Sequence, residues 1–298
     1  MTYTIVRPKP SARPHSAVSA SAPADKLDAL HRRLAELGSV LVAFSGGADS
    51  AFLLAAARRA LGPDQVVAGT ARSFSLAASE LADAQAFAAE LGVRHEVLDT
   101  DEIAREGYRA NAGDRCYFCK AELLDVFGPV AARLGLAAVA TGTNADDAVA
   151  GFRPGIRAAA ERGAVTPLLD AGLTKAEVRA ASRAWGLRTW DKPAAACLSS
   201  RIAYGVEITP ARLARVGRAE AALRAALIGS GVPVRNLRVR DLGEAGARIE
   251  VDPDLVDAVA ARSDLAELAS GFAAVTVDPR GFRSGSMNEM LPDPARFR

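Results

Sequence analysis

The chain alternates short runs of consecutive apolar residues with longer segments whose apolar positions recur every three or four residues. Residues 40–44 read VLVAF, an unbroken apolar run of the kind that a strand buried on both faces requires. Residues 27–37 put Leu27, Leu30, Leu34 and Leu37 on one helical face. The alternation then continues with a helix over 51–60, a strand starting at 66–68, a helix over 78–91 ended by Gly92, a strand over 95–98, a helix over 121–134 and a strand over 137–140. Strand and helix in turn predict an α/β fold, a doubly wound parallel sheet with helices on both faces.

The pattern changes near Gly205. A long amphipathic helix is expected over 210–228, two strands of a hairpin over 237–240 and 247–251, a helix over 255–268 and a further strand over 273–277. This predicts a tail over 1–25, an α/β domain over 26–203 and a small α+β domain over 204–298. Residues 191–205 are the expected junction.

Composition narrows the classes. No apolar run approaches the ~20 residues of a membrane span. Lys plus Arg is 37 and Asp plus Glu is 35, a net charge of +2, which argues against a nucleic-acid polymer or an acidic membrane as the main partner. Three cysteines, Cys116, Cys119 and Cys197, are too few and too odd for a secreted disulfide framework, and fit a reducing cytoplasm. The first 25 residues are rich in Ala, Ser and Pro and lack the apolar core of a secretory signal, so a disordered tail is expected, with a transit peptide as the rival.

The strongest chemical signal is Ser45-Gly46-Gly47-Ala48-Asp49-Ser50, which follows an apolar strand and opens a helix. Glycines let the backbone curl so that several N–H groups face one anion, and the helix N-terminus adds its dipole. Ser45 and Ser50 add hydroxyl donors, and Asp49 can hold Mg²⁺. No Gly-Lys-Ser/Thr closes the loop, so it is not a Walker A motif. An ordinary glycine turn before a helix is the bland alternative.

SGGADS resembles the pyrophosphate loop of the PP-loop ATP pyrophosphatases, which adenylate a substrate oxygen and release pyrophosphate. TGTNADD, residues 141–147, is similar to that family's second nucleotide motif, with Asn144 and Asp147 as the candidate contacts. PLLDAGLTKAEVR, residues 167–179, resembles a further family segment, with Lys175 as the candidate phosphate contact. The alternatives for these two are a polar turn and a solvated lysine at a helix start.

The cysteines leave several readings open. Cys116 and Cys119 lie in DRCYFCKAELL, and Cys197 in KPAAACLSSRIAYG. Two thiols three apart can grip one metal or form a disulfide. With the third they could hold a 4Fe–4S cluster with one iron left open. Structural zinc would want a fourth ligand, and only His15, His31 and His95 exist. Three buried small residues are the remaining alternative.

Together with ARIEVDP from Ala247 and GFRSGSMNE from Gly281, these stretches resemble one PP-loop subfamily, the ATP-dependent sulfur transferases of nickel-pincer nucleotide cofactor biosynthesis (the LarE type). The resemblance runs from about Leu27 to Glu289. It implies a small-molecule nucleotide substrate, pyridinium-3,5-biscarboxylic acid mononucleotide, whose carboxylates are adenylated and converted to thiocarboxylates. It implies ATP as co-substrate and a sulfide donor as partner. Some members sacrifice the sulfur of a single cysteine at the Cys197 position; others hold a 4Fe–4S cluster on three cysteines, and this sequence resembles the latter. Arg238, Arg240, Glu220 and Glu250 match a polar cluster that receives phosphate or substrate, although the stretch Asp241 to Gly246 runs one residue longer than the family pattern. A homo-oligomer is expected. A PP-loop tRNA thiolase, an ATP-binding regulatory module and an amidating synthetase are the rival readings.

Overall fold

A computed structural model describes residues 23–149, 154–193 and 196–290. Residues 1–22, most of the expected tail, lie outside this set, as do residues 194 and 195 of the expected junction. Four parallel strands, β1 (Val40–Ala43), β2 (Val66–Arg72), β3 (Arg94–Asp99) and β4 (Ala138–Thr141), form one sheet in the order β3-β2-β1-β4. The helices α1 (Ala24–Leu37), α2 (Ala48–Leu61), α3 (Ala78–Glu90), α4 (Glu106–Arg109), α5 (Arg115–Arg133), α6 (Ala145–Val149), α7 (Pro154–Glu161), α8 (Pro167–Asp170) and α9 (Lys175–Ala184) accompany it.

The unbroken apolar run of β1 has the expected cause. Val40 and Val42 join a core with Leu30 and Leu34 of α1, Phe52 and Leu53 of α2 and Val178 of α9. Leu41 points the other way, to Leu124, Phe127 and Val130 of α5 and Ala159 of α7. Successive side chains of a strand alternate between faces, so covering both faces demands apolar residues throughout. Each large side chain buried this way contributes about 1.5–3 kcal/mol. At Gly69 of β2 a Cβ would lie 2.8 Å from both Leu41 and Phe127, so only glycine admits the ring of Phe127 here.

The C-terminal part contains α10 (Pro210–Gly229), β5 (Leu237–Asp241), β6 (Ala247–Val251), α11 (Val256–Ala260), α12 (Leu265–Leu268) and β7 (Val275–Val277). Its sheet has the order β5-β6-β7, with β5 and β6 antiparallel and β6 and β7 parallel. Arg238 stands opposite Glu250, so the longer turn leaves arginine and glutamate in register. Gly246 absorbs that turn at φ +88°, where a Cβ would meet the Ala274 carbonyl oxygen at 2.3 Å.

The larger differences from expectation lie in helices. The helix expected from 51 opens at Ala48, and the helix expected from 121 opens at Arg115, because nothing in either extension breaks a helix. The latter shift carries Cys116 and Cys119 onto the first turns of α5. The single helix expected over 255–268 is two short ones. Ser263 and Asp264 favour a turn, and Arg262 pairs with Asp264 at 2.6 Å across the break.

The two sheets meet over a small apolar cluster of Tyr108, Leu198, Ile202, Ile208, Leu213 and Val216. Cys119 and Phe118 pack against its edge. The backbone joins there too: Ile202 bridges Asp241, whose carbonyl accepts from the Ala203 N–H at 2.9 Å.

Candidate functional site

A cavity of about 320 Å³ opens at the carboxyl ends of β1, β2 and β4. The chain leaves β1 towards β2 on one side while β4 lies on the other, and such switch points are where open α/β sheets bind ligands. Ser45, Gly47, Asp49, Ser50, Thr141, Gly142, Thr143 and Asp147 line it, together with Lys120. Most of the residues expected to touch the nucleotide therefore share one wall.

The loop is shaped by its own side chains. Gly46 sits at φ +71° and Gly47 caps α2. The Ser50 hydroxyl donates to the Gly47 carbonyl at 3.2 Å and accepts from the Ser45 N–H at 3.3 Å. This leaves the first-turn N–H groups of α2 facing the cavity, where an anion is stabilised. Asp49 is mostly buried, and its Oδ1 makes no hydrogen bond. Its Oδ2 stands 3.9 Å from the Lys175 ammonium. Burial holds the Asp49 carboxyl above the usual carboxylate range; Lys175 opposes that rise and the charge of Asp147 adds to it. A buried carboxylate oxygen without a donor, beside a second carboxylate, suits a hard divalent cation such as Mg²⁺.

Asn144 is buried, and Asn144 and Asp147 each accept the other's backbone N–H at 3.2 Å. Asp146 accepts the Lys175 N–H at 2.8 Å, which ties this turn to the start of α9. There Thr174 and Glu177 form a capping box. Gly142 is a contact that sequence reasoning missed. A Cβ on it would lie 2.9 Å from the Ser50 nitrogen and 3.2 Å from the Asp49 carbonyl carbon. The TGTN turn can therefore lie against the phosphate loop only without a side chain.

The thiols lie next to this cavity. Cys116 and Cys119 ride the first turns of α5, and Lys120, one turn beyond Cys116, lines the same cavity. Desolvation pushes the Cys119 thiol up, and the charge of Cys197 raises both Cys119 and Cys116, so all three are electrostatic neighbours. All three are free thiols, with Cys116 and Cys197 exposed. Among the described residues, no three His, Cys, Asp or Glu side chains form a ready-made metal cage. The donor set nonetheless fits an iron–sulfur cluster: three soft, unpaired thiols, two of them on one helix end. Burial lowers the Lys120 ammonium, and the two cysteine charges counter this. Its only sequence signal was a lysine placed four residues after Cys116.

Cys197 is held through the residues just beyond it in the chain. The Leu198 N–H donates to the Ser75 carbonyl at 2.9 Å, beside the cavity residue Leu76. Arg201, buried, donates to the Cys197 carbonyl at 3.0 Å and to the Ala196 carbonyl, and pairs with both oxygens of Glu220 on α10. Glu220 also accepts the Val239 N–H at 3.0 Å. On β5, Arg240 donates to the Ser200 carbonyl at 3.1 Å and to Glu250 at 2.6 Å, and Glu250 accepts from the Ser286 hydroxyl at 3.0 Å. Arg238 is buried close to Arg201 and Arg240. That desolvation, together with the nearby guanidinium charges, pushes its own guanidinium down to about 10. Arg201 and Arg240 thus bind the backbone of the segment that begins at Cys197, with Arg238 buried near both, and guanidinium groups suit phosphate. Arg201 was the member missed in the sequence; its place four residues after Cys197 was the available signal.

The asparagine synthase family matches residues 27–222. Over 271 residues the chain is 44% identical to an uncharacterized protein of Synechocystis sp., covering 89% of this chain and 98% of that protein. Over another 271-residue alignment it is 36% identical to the pyridinium-3,5-bisthiocarboxylic acid mononucleotide synthase of Lactiplantibacillus plantarum, covering 90% of this chain and 95% of that enzyme.

Proposed function

The chain belongs to the asparagine synthase family of PP-loop ATP pyrophosphatases, and from that premise we propose that it is an ATP-dependent sulfur transferase making the product for which its Lactiplantibacillus relative is named. A carboxylate oxygen of pyridinium-3,5-biscarboxylic acid mononucleotide attacks the α-phosphorus of ATP. The bond to the bridging oxygen breaks, and pyrophosphate leaves. A sulfide then adds to the acyl carbon, the bond to AMP breaks, and thiocarboxylate and AMP depart with one proton released.

Each part of the site takes a role in this sequence. The N–H groups of Gly46 and Gly47 and the hydroxyls of Ser45 and Ser50 receive the pyrophosphate; Asp49 holds Mg²⁺; Asn144, Asp147 and Lys175 complete the nucleotide site. Arg238 and Arg240 receive the substrate phosphate, with Glu220 and Glu250 fixing the guanidinium groups beside them. Cys116, Cys119 and Cys197 hold a 4Fe–4S cluster. When bound, such a cluster supplies an iron open to an exogenous sulfide. The carrying observation is the adjacency of the thiols to the nucleotide cavity through Lys120, with Cys197 bound through Arg201 to the arginine-rich sheet.

Cys116→Ala tests the sulfur step. Under the cluster reading it loses iron and sulfur transfer but keeps pyrophosphate release. The opposite finding, wild-type chains lighter by the mass of hydrogen sulfide and iron-free after anaerobic reconstitution, would make Cys197 a sacrificial donor. Production of ADP and phosphate would overturn the adenylation step. The small α+β part as the substrate and oligomerisation unit, a homo-oligomeric assembly and a cytoplasmic setting complete the proposal.

A further inference from the structure

Asn111 occupies an unusual position. It is fully buried and is the one non-glycine at positive φ, +50°, among the described residues. Asparagine is one of the few side chains that tolerate the left-handed region, and a fully buried one is held there by its contacts. Four of its contacts lead to the segment after Cys197. The Asn111 amide donates to the carbonyls of Ala203 at 2.7 Å, Val206 at 2.9 Å and Ile202 at 3.3 Å. Its own carbonyl accepts the Gly205 N–H at 3.2 Å.

Its other end fixes α5. The Asn111 Oδ1 accepts from the buried Arg115 guanidinium at 2.6 Å, and Arg115 is the first residue of α5, adjoining Cys116. That bond also orients the amide, since an acceptor facing arginine leaves the NH₂ facing the carbonyls. One turn earlier, the buried Tyr108 hydroxyl hydrogen-bonds the Ser199 hydroxyl, two residues from Cys197. A single side chain thus joins the helix end bearing two thiols to the segment bearing the third.

We propose that Asn111 is a positioning residue for sulfur transfer, setting the distance between Cys197 and the Cys116–Cys119 pair. Neither aspartate nor glycine serves both contacts at that φ. Aspartate would aim a carboxylate oxygen at three carbonyls, and glycine would accept the backbone but lose the amide. The inference rests on reading the three cysteines as one sulfur-handling site.

The test uses the full-length chain, iron-free and reduced, treated with dibromobimane, which bridges only neighbouring thiols. Wild-type protein should cross-link Cys197 to Cys116 or Cys119. Asn111→Gly, which relieves the backbone, and Asn111→Asp, which keeps the shape, should both lose roughly tenfold or more in cross-linking and in kcat for sulfur transfer. Their KM for ATP and their pyrophosphate release should stay near wild type. A purely structural role would lower Tm and leave cross-linking of the folded fraction unchanged, which would overturn the proposal. So would wild-type protein that does not cross-link, or failure of both variants to fold. The cross-link needs neither iron nor turnover. Intact cross-linking in a protein that never binds iron would defeat the cluster reading and spare Asn111.

Discussion

At Asp49, function and stability oppose one another. One oxygen is buried with no hydrogen-bond donor, and burial raises the carboxyl's pKa above its unfolded value. An acid bound more tightly to its proton in the folded state makes stability fall as pH rises through the unfolded and then the folded pKa. The Asp49 charge therefore opposes folding at neutral pH and does not below the ordinary aspartate pKa. Asp49→Asn should remove pyrophosphate release while raising the urea midpoint at pH 8, with little gain near pH 4; an equal gain at both pH values would refute the linkage. Mg²⁺ with ATP should raise the wild-type midpoint and leave that of the variant unmoved. Gly142 supplies the complementary case. A methyl group there would meet backbone rather than a flexible side chain, so the turn or the helix start must shift. Gly142→Ala should cost about 1–3 kcal/mol in chemical denaturation and weaken ATP binding. Unchanged ATP affinity would mean that the close approach does not shape the site.

At the scale of elements, α5 carries two chemistries on one end. Its first turns bear Cys116 and Cys119, while Lys120 reaches the nucleotide cavity. Lys120→Met should therefore slow pyrophosphate release by about a hundredfold, as loss of a charge at a developing phosphorus charge does. Rates within twofold of wild type would remove Lys120 from the adenylation step. This helix also shows what the sequence could and could not convey. Apolar periodicity exposed its packed half, where Leu124, Phe127 and Val130 face the sheet. It was silent about the first six residues, because RCYFCK mixes polar and apolar positions and is ordered by contacts with a distant segment. The phosphate loop was legible because its chemistry is local: glycines, serines and an acid consecutive in the chain. Asn111 and Gly142 were not, since each acts through a partner far away in sequence. The broken helix at 261–264 failed for a different reason: its apolar period runs on while Ser263 and Asp264 prefer a turn.

For the whole molecule, the central question is how the α/β sheet and the small sheet hold the Cys197 segment between them. Two connections run through one short segment. Arg201 ties the Cys197 carbonyl to Glu220 of α10, and Arg240 ties the Ser200 carbonyl to Glu250 of β6. Apolar packing of Leu198, Ile202, Leu213 and Val216 alone would hold the parts together but would not fix the direction of a carbonyl, because hydrophobic contact is non-directional. The ion pairs supply direction at a cost: both Arg201 and Glu220 are largely out of water. Removing one partner leaves the other desolvated and unpaired, which costs about 3–5 kcal/mol, whereas exchanging both for apolar groups is often near neutral. Glu220→Ala should therefore lower stability by about that amount. It should also release the Cys197 segment and reduce sulfur transfer more than pyrophosphate release. The double variant Arg201→Met with Glu220→Leu should recover most of the stability. If the pair also directs Cys197, sulfur transfer will stay low in the restored protein. Recovery of stability and sulfur transfer together would show that the pair only glues the two sheets, and that the orientation of Cys197 is set elsewhere.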